Sequence, residues 1–142
     1  TYYDWPATAQ KLVEKYKLKE NVQFLGPVKE IDKVFSTAKI FVLPSRSEGF
    51  PNALIESMAN GVASISFDIN AGPSDIIKNE DNVFLVENGN IEALANKIQL
   101  LMDNEIIRKK IALNALDLKE QLKVEKIGDL FYNFITKPNA SN

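Results

Sequence analysis

Two carboxylates flank a Gly-Phe-Pro-Asn turn in the segment Pro44-Ser45-Arg46-Ser47-Glu48-Gly49-Phe50-Pro51-Asn52-Ala53-Leu54-Ile55-Glu56. Gly49 allows close backbone approach to a ligand, and Pro51 presets entry into a helix. Free N–H groups around Phe50 to Ala53 would then point outward at the positive end of a helix dipole, a place for phosphate or another anion. Carboxylates beside an anion site make chemical sense once they are given hydroxyls to bind. Glu48 and Glu56 can accept hydrogen bonds from sugar and ribose hydroxyls while the N–H groups take phosphates. That combination suits a nucleotide sugar. A purely structural reading uses the same residues: Glu48 as a loop carboxylate, Glu56 as a first-turn acid favoured by the dipole, Asn52 as an N-cap. Spacing alone leaves both open.

Other segments carry weaker signals. Asp68-Ile69-Asn70-Ala71-Gly72-Pro73-Ser74-Asp75 offers a second helix start entered by Gly-Pro, or a turn with Pro at the first helical position. Gly26-Pro27-Val28 ends an apolar run and can offer backbone groups to a base, or can be a turn. Arg46 can reach phosphate or acceptor, or stay solvated. Lys15-Lys17-Lys19 and Arg108-Lys109-Lys110 have acidic neighbours and read as solvated helix faces. Asn139-Ala-Ser141 matches a glycosylation sequon at the terminus and reads as chance.

The chain contains no Cys and no His, which removes disulfides, thiolate nucleophiles, the usual zinc ligand and any Ser-His-Asp triad. Chemistry must rest on carboxylates, hydroxyls, Lys, Arg and backbone dipoles. With 17 Lys+Arg against 19 Asp+Glu the net charge is −2, which argues against a broad nucleic-acid footprint. No uninterrupted apolar run is long enough to span a bilayer.

The 142 residues, 45% hydrophobic and 25% charged, suit one ordinary domain with its own core. Four short apolar runs read as strands: Val22–Leu25, Ile40–Leu43, Val62–Phe67 and Val83–Val86. Helical spacing lies between and after them. It covers 5–16, 31–38, 52–60 ending before Gly61, a short 73–78, 91–102 behind an Asn90 N-cap, 105–118, and 124–135. The last has Val124, Ile127, Leu130, Phe131, Phe134 and Ile135 on one face. Alternating strand and helix predicts an α/β fold with a Rossmann-like parallel sheet and flanking helices, plus extra C-terminal helices. Ligands of such sheets bind outside the carboxyl ends of the strands, which selects the loops named above and 87–90.

With its E-x7-E spacing, the segment from Pro44 to Gly61 resembles glycosyltransferase family 4, retaining GT-B enzymes that use sugar nucleotides without an obligatory metal. Asn21 to Gly26, Gly72-Pro73-Ser74-Asp75-Ile76-Ile77, Val83 to Val86 and the 91–102 helix extend the resemblance over about 16–111. It implies that Glu48 binds donor-sugar hydroxyls and stabilises charge at the anomeric carbon, and that Glu56 binds the ribose. Gly49, Phe50, Pro51 and Asn52, with Gly72 and Pro73, would hold the donor, Pro51 acting through conformation alone since it has no N–H. Gly26, Pro27 and Val28 would lie along the base. Stabilisation of the leaving diphosphate by dipoles suits a site without imidazole. No cofactor and no metal are implied.

The resemblance implies a donor such as a UDP-sugar and transfer of a hexosyl or N-acetylhexosaminyl group to a glycan or lipid-linked acceptor. The full-length enzyme is expected in the cytoplasm, where it can associate peripherally with the inner face of the membrane. Val83 stands where the family often has Gly, and Asp75 where Glu is frequent. The family's opening strand-helix-strand, with its basic loop, and its acceptor-binding domain have no counterpart here. Residues 1–136 are therefore expected to be a partial GT-B C-terminal domain, inactive alone, with 137–142 as a frayed tail. An order of 3-2-1-4-5-6 would separate Val22–Leu25 from Ile40–Leu43. Poor stability, strands that shift together, or a partner in the gap are then expected. A non-catalytic nucleotide-binding or interaction module is the alternative. A sugar-nucleotide epimerase fits less well, since such enzymes generally draw on further acid/base groups.

Overall fold

The computed structural model describes residues 5–69 and 77–136. The predictions placed on Gly72 to Asp75 and on the tail 137–142 lie outside the described residues, as do the side chains of Trp5, Leu130, Phe131 and Phe134 in the predicted apolar stripes. The chain forms two compact units, Thr1–Ile31 and Asp32–Asn142.

In the first unit, α1 spans Trp5–Lys15. It closes with Leu18 N–H on the Val13 carbonyl at 2.9 Å and Lys17 N–H on the Glu14 carbonyl at 3.1 Å. This is a Schellman ending with Lys17, at φ 57°, in the left-handed position usually given to glycine. The predicted strand Val22–Leu25 is not formed: the segment joins no sheet among the described residues, and Phe24 and Leu25 are about half exposed. An apolar run becomes a strand only when a neighbour supplies the hydrogen-bonding ladder. Composition alone cannot provide one.

The second unit begins within α2 (Ile31–Phe35) and continues through β1 (Ile40–Leu43), α3 (Asn52–Ala59), β2 (Ala63–Phe67), β3 (Phe84–Val86), α4 (Ile91–Asp103), α5 (Glu105–Gln121) and α6 (Val124–Thr136). The three strands are parallel in the order β1-β2-β3, with Ile40 opposite Ala63 and Ile65 opposite Phe84. This is the Rossmann-like sheet with flanking helices that alternation predicted. Ile77 and Lys78, expected to end a short helix, are not helical. Val83 makes an isolated bridge to Asn79 ahead of β3.

Central β2 is buried at every position, and its period of two divides the core. Ala63, Ile65 and Phe67 pack with Phe84, Val86, Leu94, Leu101 and Ile111. A second cluster gathers Leu54, Ile55, Met58, Val83, Ala115 and Leu118, with Phe41 and Leu43 packed against it. Thus α4 contributes to the first cluster, α3 to the second, and α5 to both. Between α3 and β2 the buried Ser57 and Ser64 hydroxyls lie 2.9 Å apart; Ser57 also donates to the Leu54 carbonyl and Ser64 to the Val62 carbonyl. These small hydroxyls let the helix approach the strand and leave no buried side-chain polar atom unsatisfied among the described residues.

Candidate functional site

The loops at the carboxyl ends of β1 and β3 hold the candidate residues that the second unit describes. Residues 44–51 leave β1 and enter α3. Pro51 is almost fully buried, and its carbonyl accepts from Leu54 and Ile55 N–H at 3.0 and 3.1 Å. The structural reading of Asn52 as the N-cap does not hold: Pro51 occupies that position and no side chain caps the helix. Proline cannot offer a capping oxygen, and Asn52 is already the first helical residue. The Asn52 N–H is also not free, because it donates to the Phe50 carbonyl at 2.9 Å. Among the described residues, no hydrogen bond engages the N–H groups of Gly49, Phe50 and Ala53. Gly49 has open space where a Cβ would point, and Phe50 is 48% exposed. The donors expected around Phe50 to Ala53 are thus present but shifted: Gly49, Phe50 and Ala53 rather than Asn52.

Glu48 lies in this loop, half-buried. Leu54, Ile55 and Met58 turn one face of α3 inward, which leaves Glu56 on the solvent face one turn into the helix. That face is steadied at its far end. The Asn60 amide donates to the Glu56 carbonyl at 2.9 Å and to Asp32 at 3.3 Å. Gly61 then closes α3 in a Schellman motif: Gly61 N–H reaches the Met58 carbonyl and Val62 N–H reaches the Ser57 carbonyl, with Gly61 at φ +69°.

The loop after β3 turns at residues 87–90. Asn90 N–H donates to the Glu87 carbonyl at 3.0 Å and the Asn90 amide to the Glu87 carboxylate at 3.0 Å. Gly89, at φ +83°, supplies the left-handed step. The Asn90 oxygen accepts from Ala93 N–H at 3.0 Å, the predicted N-cap of α4. Asn88 joins the two loops: its amide donates to the Arg46 carbonyl at 2.8 Å. In the sequence Asn88 is marked only by its place in the 87–90 loop, with nothing to indicate its partner.

Gly26, Pro27 and Val28 belong to the first unit, where Gly26 takes φ +64° with open space around it. Two clefts on the second unit, of about 410 and 520 Å³, lie at the α5–α6 junction and, among the described residues, include none of the candidate loops. Among the described residues, no three Asp or Glu side chains cluster as a metal ion would require.

Residues 3–117 match the sequence model of the family described as glycosyl transferases group 1. The chain belongs to this family. Its fold is that of the Rossmann-like C-terminal domain of GT-B proteins. The chain is 32% identical over 124 residues to a poly(ribitol-phosphate) alpha-N-acetylglucosaminyltransferase of Staphylococcus aureus, covering 87% of this chain and 25% of that protein. It is 32% identical over 126 residues to a Campylobacter jejuni alpha-1,4-N-acetyl-D-galactosaminyltransferase that acts on a diphospho-undecaprenol-linked glycan, covering 87% and 35%. A variant of TarM from S. aureus, solved with fondaparinux, alpha-GlcNAc-glycerol and UDP, superposes with a TM-score of 0.81 at 29% identity, covering 92% of this chain and 27% of that one. The chain therefore spans about a quarter to a third of the length of these proteins. No helix among the described residues is long and apolar enough to cross a membrane.

Proposed function

We propose that the chain is the donor-binding part of a retaining glycosyltransferase of family 4, one that moves a hexosyl or N-acetylhexosaminyl group from a UDP-sugar to a glycan or lipid-linked acceptor. The observation that carries this reading is the uncapped start of α3: the N–H groups of Gly49, Phe50 and Ala53 are unengaged among the described residues, between Glu48 in the loop and Glu56 on the helix. The N–H groups and the helix dipole bind the diphosphate and stabilise charge as it leaves. Glu56 accepts from the ribose hydroxyls. Glu48 accepts from donor-sugar hydroxyls and favours the positive charge that builds at the anomeric carbon. Pro51 fixes the turn, Asn52 lends its exposed side chain, and Gly72 and Pro73 complete the donor pocket. Gly26, Pro27 and Val28 lie along the base.

The UDP in the TarM complex and the N-acetylhexosaminyl transfers named for the two relatives support this choice of donor. Binding needs no metal, and the whole enzyme works in the cytoplasm, peripheral to the membrane that holds a lipid-linked acceptor. The 142-residue chain by itself performs no transfer, since the acceptor side must come from further residues. A thermal-shift panel of nucleotide sugars tests the reading. A UDP-sugar should raise the melting temperature with or without EDTA, and Glu56→Ala should abolish the shift. A folded chain that responds to no nucleotide sugar would instead be a non-catalytic α/β module.

A further inference from the structure

We infer that Asn88 is a positioning residue for the donor sugar, acting through the loop that carries Glu48. The inference rests on the donor-site reading above. Between residues 45 and 49, the Arg46 carbonyl is the one backbone group given a hydrogen-bond partner among the described residues, and that partner is the Asn88 amide at 2.8 Å. Among the described residues nothing lies within 4 Å of the Gly49 Cβ direction, and Phe50 is half exposed, so these two positions gain little from packing. The clamp itself is firmly mounted. Asn90 fastens the 87–90 turn to Glu87 and to the start of α4, and Leu94 and Leu101 bury α4 in the core.

Glu48 is two residues beyond the clamped carbonyl. Glu56 stands on α3, which its own buried residues hold in place. Releasing the clamp should therefore free the carboxylate assigned to the sugar and leave the one assigned to the ribose. A loop that samples many positions presents a competent one for a smaller fraction of the time, and apparent affinity falls by that fraction. A purely structural role for Asn88 would weaken the binding of UDP and UDP-sugar alike.

Asn88→Asp keeps the shape, removes the donor and turns a carboxylate toward a carbonyl. Asn88→Gln keeps the amide. Titration of the 142-residue chain with UDP and with UDP-N-acetylglucosamine, alongside amide hydrogen exchange of residues 45–50, separates the outcomes. In Asn88→Asp the preference for the UDP-sugar over UDP should fall about fivefold, with UDP itself weakened by less, because Ala53 and Glu56 stay on α3 while only Gly49 and Phe50 loosen, and with faster exchange confined to the loop. Asn88→Gln should recover most of the preference. Equal loss of both ligands, or an unchanged preference, overturns the inference. If the parent chain binds neither ligand, the donor-site reading fails first, and unchanged loop exchange in Asn88→Asp then refutes the clamp separately.

Discussion

Gly61 sets the far end of the helix that carries Glu56, and replacing it by Ala has a calculable cost. The residue sits at φ +69°, where an L side chain costs about 1–2 kcal/mol. An added Cβ would lie 3.0 Å from Leu116 Cδ2 and 3.2 Å from its Cγ. Leu116 is 40% exposed, so its side chain can swing aside, and the steric part should be a few tenths of a kcal/mol. The predicted loss is about 2 kcal/mol, or about 4–8 °C in melting temperature for a chain of this size. Chemical and thermal unfolding of Gly61→Ala, Leu116→Ala and the double variant provide the assay. Backbone strain should dominate, so the coupling between the two sites should stay below about 0.5 kcal/mol. A melting temperature within 1 °C of the parent would refute the left-handed requirement. A double variant restored to the level of Leu116→Ala alone would show that the clash, not φ, sets the cost.

Two further perturbations probe the scaffold. Ile65 is fully buried in the centre of β2, so Ile65→Ala should lose about 2–5 kcal/mol in denaturant unfolding, and a loss under 1 kcal/mol would contradict its central place. The Lys109 ammonium, 2.7 Å from Glu105, holds that carboxyl below the usual carboxylate range by hydrogen bonding and charge. Its folded pKa is depressed, so the contribution to stability is present above the unfolded pKa and lost as pH falls through the folded one. Lys109→Ala should move the Glu105 titration upward in an NMR pH series, and an unmoved titration would show that Lys109 does not set it.

Local signals were legible where local chemistry decides the outcome. Ile40–Leu43 reads as a strand and is one, and Asn90 reads as a cap and accepts from Ala93. The helix Asn52–Ala59 and its closure at Gly61 follow from apolar spacing and a glycine at the right distance. Val22–Leu25 carries the same apolar signal as Ile40–Leu43 but forms no strand, because a ladder belongs to a pair of segments and one segment does not encode it. The candidate loop was legible in place, after β1 and before α3. Its detail was not. Whether Pro51 or Asn52 caps the helix turns on a one-residue shift of backbone conformation. The Asn88–Arg46 bond joins residues separated by 42 positions, and only the folded sheet brings them together.

Donor binding at the start of α3 is tested most directly by titration. Calorimetric titration of UDP-N-acetylglucosamine into the 142-residue chain should give saturable binding. Glu56→Ala should weaken it at least about tenfold through loss of the hydrogen bonds to a charged acceptor, with the fold intact by circular dichroism. A folded parent that gives no heat of binding, or a Glu56→Ala variant that binds as tightly as the parent, would contradict the placement of the donor between Glu48 and Glu56.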